Sequence, residues 1–360
     1  MSQKDWINAN TISDLASYED VTKYLGSKKC ATRKKHLLLG NGFSVAYDPK
    51  IFSYTALSNF IEESKNDNLI NLFKAINTKN FEELMRYLDI FLVFSKTFNA
   101  DEKLIKTIAI TQNTLKNSLI EAVKAMHPEH VYTIPEEKSQ ACATFLNYYL
   151  HQDGYVFSSN YDLLLYWVIM RNRELFSYAG DGFGRELLNA SNEYTTDWEP
   201  EFSTDLRWGT NKVNQNIFYL HGALPLFDTG IDILKEEYDG THLIRKIQNR
   251  MDKNEYPIFV TAGEGKEKLT HIMHNKYLQF CYEKLTSITG TLITYGFSFG
   301  ENDMHIIDAI NRAASQPKGE NLCSLYIGVY SDYDLQHIKR VKAAFKIPLR
   351  VYNSRTVKSW

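Results

Sequence analysis

The sequence predicts an α/β protein built on a doubly wound parallel sheet, and two observations favour this class. Seven short apolar stretches are bounded mostly by glycine, proline, asparagine or aspartate. Such stretches are too short for buried helices and are typical of strands that are buried on both faces. Helix-period segments alternate with the later stretches, which indicates parallel strands joined by crossover helices. The predicted strands are residues 36–39, 155–159, 216–220, 257–261, 290–295, 323–329 and 348–352.

The longest connection between predicted strands has a helical pattern. More than a hundred residues separate the first two strands, and they include the helix-period segments 81–94 and 101–126. A compact domain rarely contains so long a connection without structure of its own. We therefore expect a helical insertion subdomain at 50–149, carried by a sheet domain made of residues 1–49 and 150–360.

Helices are also predicted beside the remaining strands. Pro128 and Pro135 end the insertion ahead of a helix at 137–151 that returns to the sheet. Residues 171–215 are polar and contain glycine and asparagine, so we expect a loop-like excursion that serves as a lid or a contact arm. The later helix-period segments are 231–252, 266–287, 302–315 and 333–346.

Composition and charge are those of an ordinary globular protein. Of 360 residues, 44% are hydrophobic and 23% are charged, and the formal net charge is -2. That balance argues against a protein that coats nucleic acid or an acidic membrane surface. No apolar run is long enough to span a bilayer.

The cysteines and the first residues indicate the compartment. No pair of cysteines has zinc-ligand spacing, and the opening MSQKDWINAN lacks the layout of a signal peptide. We therefore expect a cytoplasmic protein with free, mostly buried thiols. The four cysteines are Cys30, Cys142, Cys281 and Cys323.

A glycine loop, GNGFS at 40–44, directly follows the first predicted strand. At the carboxyl end of such a strand, glycines let the backbone approach a pyrophosphate, whose charge is met by N–H groups at the next helix start. The G-x-G-x-x-G fingerprint is incomplete, because its third glycine position holds Val45. A tight turn without a ligand is therefore the alternative interpretation.

The next two motifs also follow predicted strands. The second strand ends at SSNYD (158–162) and runs into a helical segment, so a helix cap is the alternative to a ligand site. The third strand ends at His221, and Gly222 releases the backbone into a loop. For this histidine, a satisfied structural role is the alternative to catalysis.

The fourth motif completes the pattern. YGFSFG at 295–300 ends a strand, and Asn302 and Asp303 open the next helix. A glycine and serine loop followed by a capped helix start is suited to bind a phosphate or a ribose hydroxyl. In open α/β sheets, ligands bind in the crevice beyond the carboxyl ends of the strands. The four polar strand ends therefore point to one shared site.

In this order, the four motifs resemble the SIR2-like family. LLLGNGFS, FSSNYD, YLHGAL and YGFSFGEND are similar to its Gly-Ala-Gly-x-Ser loop, its Thr-x-Asn-Tyr-Asp motif, its His-Gly pair and its late Gly-x-Ser with a following Asp. The bacterial branch associated with antiphage defence, which includes DUF4917 chains, is most similar. The resemblance covers strand ends from residue 37 to 303, and neither the helical insertion nor the 171–215 excursion. Asn41 departs from the pattern, and Ser158 stands where Thr is usual.

The resemblance implies a Rossmann-like fold and a role for each matching residue. His221 would be the catalytic base, and Asn160 and Asp162 would surround the nicotinamide ribose. No metal is implied. The residues implied to bind the rest of the dinucleotide are Gly40, Asn41, Gly42, Ser44, Gly296 and Ser298, with Asp303 shaping the last loop.

The function implied is that of an NAD glycohydrolase, with NAD as substrate and water as acceptor. Its transition state resembles a ribosyl oxocarbenium ion and expels neutral nicotinamide, so a held ribose and a near-neutral base are the groups that help. Two alternatives stay open. A non-catalytic module would sense NAD or ADP-ribose, whereas a sirtuin-type deacylase would normally need a zinc module that four scattered cysteines cannot form.

Partners are expected because unregulated NAD hydrolysis would kill the host. The helical insertion offers long helices that could pair subunits of a homo-oligomer or dock a partner such as an ATPase or sensor encoded nearby. A simple covering role for the insertion is the alternative. Direct binding to nucleic acid or membrane is not expected.

Overall fold

The computed structural model describes most of the chain and shows two β-sheets with surrounding helices. Its seven-stranded sheet is entirely parallel, and a separate five-stranded sheet is antiparallel. The predicted Rossmann-like α/β class is confirmed. The described residues are 9–27, 30–49, 67–76, 81–127, 130–189, 199–240, 242–253, 255, 257–260, 265–300 and 303–360.

The parallel sheet reverses its strand order at its centre. With strands numbered along the chain, the spatial order is β1-β12-β11-β10-β2-β3-β6. From β2 the chain proceeds outwards through β3 and β6, and from β10 it proceeds the other way. The boundary between β2 and β10 is therefore the topological switch point, where open α/β sheets bind ligands. The strands are β1 (Ala16–Ser17), β2 (Lys35–Leu39), β3 (Val156–Ser158), β6 (Ile217–Tyr219), β10 (Gly290–Tyr295), β11 (Leu322–Val329) and β12 (Leu349–Asn353).

The central strands have the apolar composition that burial on both faces requires. Every residue of β2 and of β10 is buried. Strands covered on both sides need continuous apolar runs rather than alternation, and HLLL and GTLITY supply them. This is why the sequence pattern predicts these strands correctly.

The antiparallel sheet corrects three predictions. The excursion at 171–215 contains two strands, the region 231–252 is helical only in its second half, and the predicted strand at 257–261 joins this sheet rather than the parallel one. The sheet has the order β4-β5-β8-β7-β9. Its strands are β4 (Phe183–Leu187), β5 (Phe202–Trp208), β7 (Gly222–Asp228), β8 (Ile233–Lys235) and β9 (Pro257–Phe259).

Helices flank the parallel sheet and fill the insertion. The predicted helix at 266–287 is two helices, because the Asn275 side chain accepts the N–H groups of Tyr277 and Leu278 and so begins a new helix. The described helices are α1 (Tyr18–Leu25), α2 (Asn41–Tyr47), α3 (Asp67–Ile76), α4 (Phe81–Thr97), α5 (Glu102–Met126), α6 (Glu136–Leu150), α7 (Leu164–Arg171), α8 (Leu243–Asp252), α9 (Gly265–His274), α10 (Lys276–Thr286), α11 (Met304–Ala314) and α12 (Asp332–Val341).

The insertion helices α3, α4 and α5 pack on one another around their own apolar cluster. The five buried members of this cluster are separate from the main core, and α4 and α5 form the most extensive contact. Helix pairing of this kind needs an apolar stripe on each helix. The buried members are Leu69, Leu84, Leu88, Ile108 and Leu115.

One face of α4 carries exposed aromatic side chains. Tyr87, Phe91 and Phe94, spaced by four and three residues, lie on one side of the helix, and Phe98 continues the line just beyond its end. These four aromatic side chains, here called the α4 stripe, are between 41% and 78% exposed. At about 200 Å² for each aromatic side chain, the exposed area is on the order of 400 Å². Apolar patches of that size commonly mark interaction sites.

Two further observations concern the helices and the cysteines. In the part of the chain that the structure describes, no helix combines the length and the apolar character needed to cross a membrane. All four cysteines are free thiols; Cys323 is exposed and the other three are buried.

A buried histidine at the start of β2 ties three segments together. The ring of His36 bonds the carbonyl of Thr289 through Nε2 at 2.9 Å and accepts the N–H of Tyr155 at Nδ1 at 3.0 Å. Burial lowers the pKa of His36 to about 4, although the bond to Thr289 acts in the opposite direction. The ring is therefore neutral at neutral pH, with its hydrogen on Nε2.

The first prediction concerns the pH dependence of stability. The unfolded chain protonates His36 near pH 6.5, whereas the folded chain resists protonation until about pH 4. The free energy of unfolding therefore decreases as the pH falls between those two values. His36→Gln should melt at a lower temperature at pH 7, because a hydrogen bond is lost, but its melting temperature should fall less between pH 7 and pH 5. Thermal melting across pH measures this, and exposed His151→Gln is the control. Equal pH slopes for His36→Gln and the wild type would contradict the assignment.

The second prediction concerns self-association through the α4 stripe. A standard interface buries about 800 Å² on each partner, and the stripe supplies a substantial part of that from aromatic side chains. We expect a homo-oligomer that the double substitution Phe91→Glu and Phe94→Glu converts to monomer. Light scattering at tens of micromolar protein measures the mass. Lys103→Glu on α5 changes the net charge by the same amount and should leave the oligomer intact, whereas a monomeric wild type would overturn the expectation.

Candidate active site

Four adjacent parallel strands end at the same level, and each leads into one of the four motifs. In the strand register, Tyr295 pairs with Leu39, Leu39 pairs with Ser158, and Ser158 pairs with Tyr219. These residues are the last of β10, β2, β3 and β6. With neighbouring strands about 4.8 Å apart, the four motif loops start along a line of roughly 14 Å. The structure therefore brings the four motifs to one edge of the sheet, across the switch point.

The loops after β2 and β10 touch through their backbones. The N–H of Gly40 donates to the carbonyl of Tyr295 at 3.0 Å, and the N–H of Gly42 donates to the carbonyl of Gly296 at 2.9 Å. A Cβ on Gly42 would lie 2.6 Å from the Cα of Gly296. Gly296 itself has a φ of +69°, in the left-handed region that favours glycine. The close contact between the two loops is thus enough to explain why glycine is needed at these positions. Phosphate binding by these residues stays a prediction.

The loop after β3 is bonded to the glycine loop by a polar cluster. The Asn160 amide donates to the carbonyl of Gly40 at 3.0 Å and to Oγ of Ser44 at 2.9 Å. The Ser44 hydroxyl in turn donates to Asp162 Oδ2 at 2.5 Å. Asn160 and Ser44 are buried. With both amide hydrogens used, the Asn160 side-chain oxygen accepts no hydrogen bond from the described residues and is the group that can meet a ligand.

Asp162 combines a structural and an electrostatic role. Its Oδ1 accepts the N–H of Leu164, the first residue of α7, at 2.9 Å, which satisfies one free donor at that helix start. The helix-cap alternative assigned the cap to a serine or asparagine, whereas the residue at the cap position of α7 is Leu163, which makes no side-chain capping bond. Burial raises the pKa of the Asp162 carboxyl, and the hydrogen bonds from Ser44 and Leu164 oppose that rise.

His221 lies where the chain passes from one sheet to the other. Strand β6 ends at Tyr219 and β7 begins at Gly222. Gly222 has a φ of +86°, and a Cβ there would lie 1.8 Å from the carbonyl oxygen of Ile258, so only glycine fits the turn. The carbonyl of His221 accepts the N–H of Val260 at 3.0 Å. The backbone on both sides of the histidine is thus fixed.

The His221 ring faces a second histidine that the motifs did not identify. Its Nε2 lies 2.9 Å from Nε2 of His305, in the first turn of α11, and both rings are buried. Near them, the ammonium of Lys268 on α9 lies 3.6 Å from Asp303 Oδ1. None of the four motifs contains His305 or Lys268. For His305, its position two residues after Asp303 of the fourth motif was the available signal.

Electrostatics keep His221 neutral. Burial is the largest cause that lowers the pKa of His221 well below its usual value, and the nearness of His305 and Lys268 adds to it. Burial raises the pKa of Asp303, and Lys268 opposes that rise. Asp303 was expected to shape the last loop, and its N–H donates to the carbonyl of Gly300 in that loop at 2.9 Å. Its side chain makes no capping bond to α11 and pairs with Lys268.

The side chains of His221, Asp303 and His305 are also the types that bind metals. Their nitrogen and oxygen atoms lie within 4.8 Å of one another. However, the two histidines already face each other at hydrogen-bond distance, and Lys268 neutralises the carboxylate of Asp303. A cation would have to displace both interactions to bind here.

The loop after β10 presents polar and apolar side chains in turn. Phe297 and Phe299 are buried, whereas Ser298 is exposed, as is Asn41 of the glycine loop. Phe299 has a φ of +55°, which is rare for a bulky residue, and its carbonyl accepts a hydrogen bond from His337 at 3.0 Å. Asn302, predicted to open the next helix, lies outside the described residues.

Comparison with known families places this chain in a group without an assigned role. The DUF4917 model, described as a domain of unknown function, matches residues 37–360, which include all four motif loops and both sheets except β1 and the start of β2. The chain therefore belongs to the DUF4917 family. No curated protein matches it.

The third prediction tests the contact between the two loops. Gly42→Ala should lower the melting temperature in the absence of any ligand, by an amount that corresponds to about 1–3 kcal/mol, because its Cβ overlaps the backbone of Gly296. Gly26→Ala is the matched control, since a Cβ there would lie 3.4 Å from the nearest atom, an ordinary contact. Differential scanning calorimetry compares the two. If Gly42→Ala melts like the wild type, the loops do not touch as described.

Proposed function

We propose that the chain is an NAD glycohydrolase, which cleaves the bond between nicotinamide and ribose and releases ADP-ribose. The observation that carries the proposal is the placement of Asn160 and His221. Each lies two residues beyond one of the paired residues Ser158 and Tyr219, so the two occupy equivalent positions past neighbouring strands. Asn160 bonds to Gly40 at the switch point, where dinucleotides bind in folds of this class, and His221 lies within 4.8 Å of Asp303, just beyond the loop after β10.

The chemistry needs few groups, and the cluster can supply them. Nicotinamide leaves as a neutral molecule, so its departure needs little acid catalysis, and the positive charge develops on the ribose. A preorganised polar pocket stabilises that charge, and a base activates the attacking water or a ribose hydroxyl. Asn160 and Asp162, oriented through Ser44, form the polar side of such a pocket.

His221 fits the role of base. A base must be unprotonated in the resting enzyme, and the lowered pKa of His221 keeps its ring neutral at neutral pH. Its Nε2 is engaged by His305, so Nδ1 is the nitrogen available to a substrate hydroxyl or to water. We assign the proton transfer to that atom.

Asn160 fits the role of an orienting group. Its two donors are fixed on Gly40 and Ser44, so the side chain cannot turn, and its oxygen has a defined direction. An amide oxygen accepts a hydrogen bond from water or from a hydroxyl without adding charge. An uncharged amide forms no ion pair with the pyridinium of NAD, so its oxygen stays available to hold the nucleophile.

The deacylase alternative lacks its structural module. The zinc module of sirtuin deacylases needs clustered cysteines, whereas three of the four thiols here are buried separately as free groups. The sensing alternative would use the same pocket without bond cleavage. Release of nicotinamide distinguishes the two.

Regulation would reach the pocket through the insertion. The His127 ring, one residue beyond the end of α5, accepts the N–H of Leu163 at 2.8 Å and so contacts the loop that carries Asn160 and Asp162. A change in the packing of α5, through self-association or a partner such as a nearby-encoded ATPase, would therefore be transmitted to that loop. Such gating suits an effector of antiphage defence that depletes NAD in the cytoplasm.

The fourth prediction concerns turnover of NAD. His221→Ala and Asn160→Ala should each lower nicotinamide release by about 10²-fold or more, because each removes a group used in one step. The double variant should lose little beyond the worse single variant. Chromatography of nicotinamide and ADP-ribose, with and without an acetyl-lysine peptide, measures the products.

The controls separate catalysis from folding. Asn160→Ala also removes two internal hydrogen bonds, so thermal melting of the same preparations is needed, and His151→Ala on the surface should match the wild type in both assays. Isothermal calorimetry should show that the variants still bind NAD. Full activity of His221→Ala would remove the base assignment, and a wild type that binds NAD without releasing nicotinamide would favour the sensor.

A further inference from the structure

The contact between His221 and His305 restricts where their hydrogens can lie. Two Nε2 atoms 2.9 Å apart share one hydrogen, so one ring donates and the other accepts. With both rings neutral, the two rings must be opposite tautomers: the donor carries its hydrogen on Nε2 and the acceptor on Nδ1. If His221 is the donor, its Nδ1 has the free lone pair that a base requires.

A carboxylate lies close to both rings of the pair. His305 is the second residue of α11, two positions after Asp303, and the carboxylate of Asp303 lies within 4.8 Å of a ring nitrogen of each histidine. Lys268 on α9 pairs with that carboxylate, and the Tyr282 hydroxyl of α10 donates to the carbonyl of His305 at 3.1 Å. The pair thus lies next to an acidic group that can stabilise a positive charge on either ring, and His305 is the ring on the same segment as that group.

We propose that His305 is a positioning residue that fixes the tautomer of His221 and takes up the proton that His221 removes. This inference rests on the proposed function. It differs from a structural role because it requires the ring of His305 to become a cation during turnover.

In the relay, the attacking water gives a proton to Nδ1 of His221, and its oxygen electron pair forms the new bond to the ribose carbon as nicotinamide leaves with the electrons of the broken C–N bond. The Nε2 hydrogen of His221 moves to Nε2 of His305. His221 is then neutral and His305 is the cation. After product release, His305 returns its Nε2 proton to His221, and His221 releases its Nδ1 proton to water.

The physical benefit is the removal of positive charge from the reacting centre. A protonated His221 would stand beside a developing oxocarbenium ion, and like charges repel strongly where water is excluded. The ring centroids of the two histidines are 5.1 Å apart, so transfer moves the charge by that distance while it stays close to the carboxylate of Asp303. Because the transfer leaves His221 neutral, His221 does not need a high pKa to hold the proton that it has taken up.

The fifth prediction tests this relay by kinetics. His305→Gln keeps a polar side chain but cannot become a cation, so kcat for nicotinamide release should fall by about 10-fold to 100-fold while KM and NAD affinity stay unchanged. His305→Ala should lower kcat to a similar extent, and free imidazole should restore much of the kcat of this variant. Imidazole should not restore Asn160→Ala. His36→Gln, which alters another buried neutral histidine at the far end of β2, should keep the wild-type kcat and show no response to imidazole.

Tautomers measured by ¹⁵N NMR on the wild type give a second test that needs no turnover. The relay requires His221 to carry its hydrogen on Nε2 and His305 to carry it on Nδ1 at neutral pH. A His221 hydrogen on Nδ1 would overturn the relay even if the enzyme is active, as would a normal kcat in His305→Gln, and both results would leave the proposed function standing. A wild type that never releases nicotinamide would instead overturn the proposed function and the relay with it.

Discussion

The close approach of the loops after β2 and β10 is the constraint on which the candidate site depends. These two strands lie at the switch point, and their loops meet through Gly40, Gly42 and Gly296 with no side chain between them. The contact fixes the position of Ser44 in the short helix that follows. Ser44 then holds Asn160 and Asp162 of the neighbouring loop, so one backbone contact sets the geometry of the polar cluster.

The second sheet contributes by fixing the other end of the site. The chain leaves β6, turns at Gly222 and continues into β7, and the carbonyl of His221 is bonded to Val260 beyond β9. His221 is thereby held between two sheets while its ring reaches α11. Residues from the ends of strands therefore meet residues from the starts of helices in one buried cluster, where charges interact strongly because water is scarce.

Sequence patterns predicted the parts of this structure whose environment is uniform. β2, β10 and β11 are buried on both faces and have continuous apolar runs, so their class and approximate bounds follow from composition. β5 was missed because most of it is not buried, and β8 was missed because three residues carry no period. The break at Asn275 depends on a helix cap that a periodic apolar pattern does not reveal.

The sequence located some residues of the candidate site and not others. The motif loops were located because each directly follows a strand, and parallel strands end on one side of the sheet. Their chemical roles stay predictions. His305 and Lys268 come from helices that lie far apart in sequence, and their meeting with His221 and Asp303 depends on how α9 and α11 pack against the sheet. Local sequence contains no signal for that packing.

The claim that these loops hydrolyse NAD is tested most directly by the fate of water oxygen. The protein, with candidate activators present, is incubated with NAD in ¹⁸O-labelled water, and the products are analysed by mass spectrometry. The account predicts free nicotinamide and ADP-ribose that carries one ¹⁸O atom at the ribose carbon that held the nicotinamide. Recovery of intact NAD, or release of nicotinamide with the ribosyl group transferred to an acceptor other than water, would contradict it.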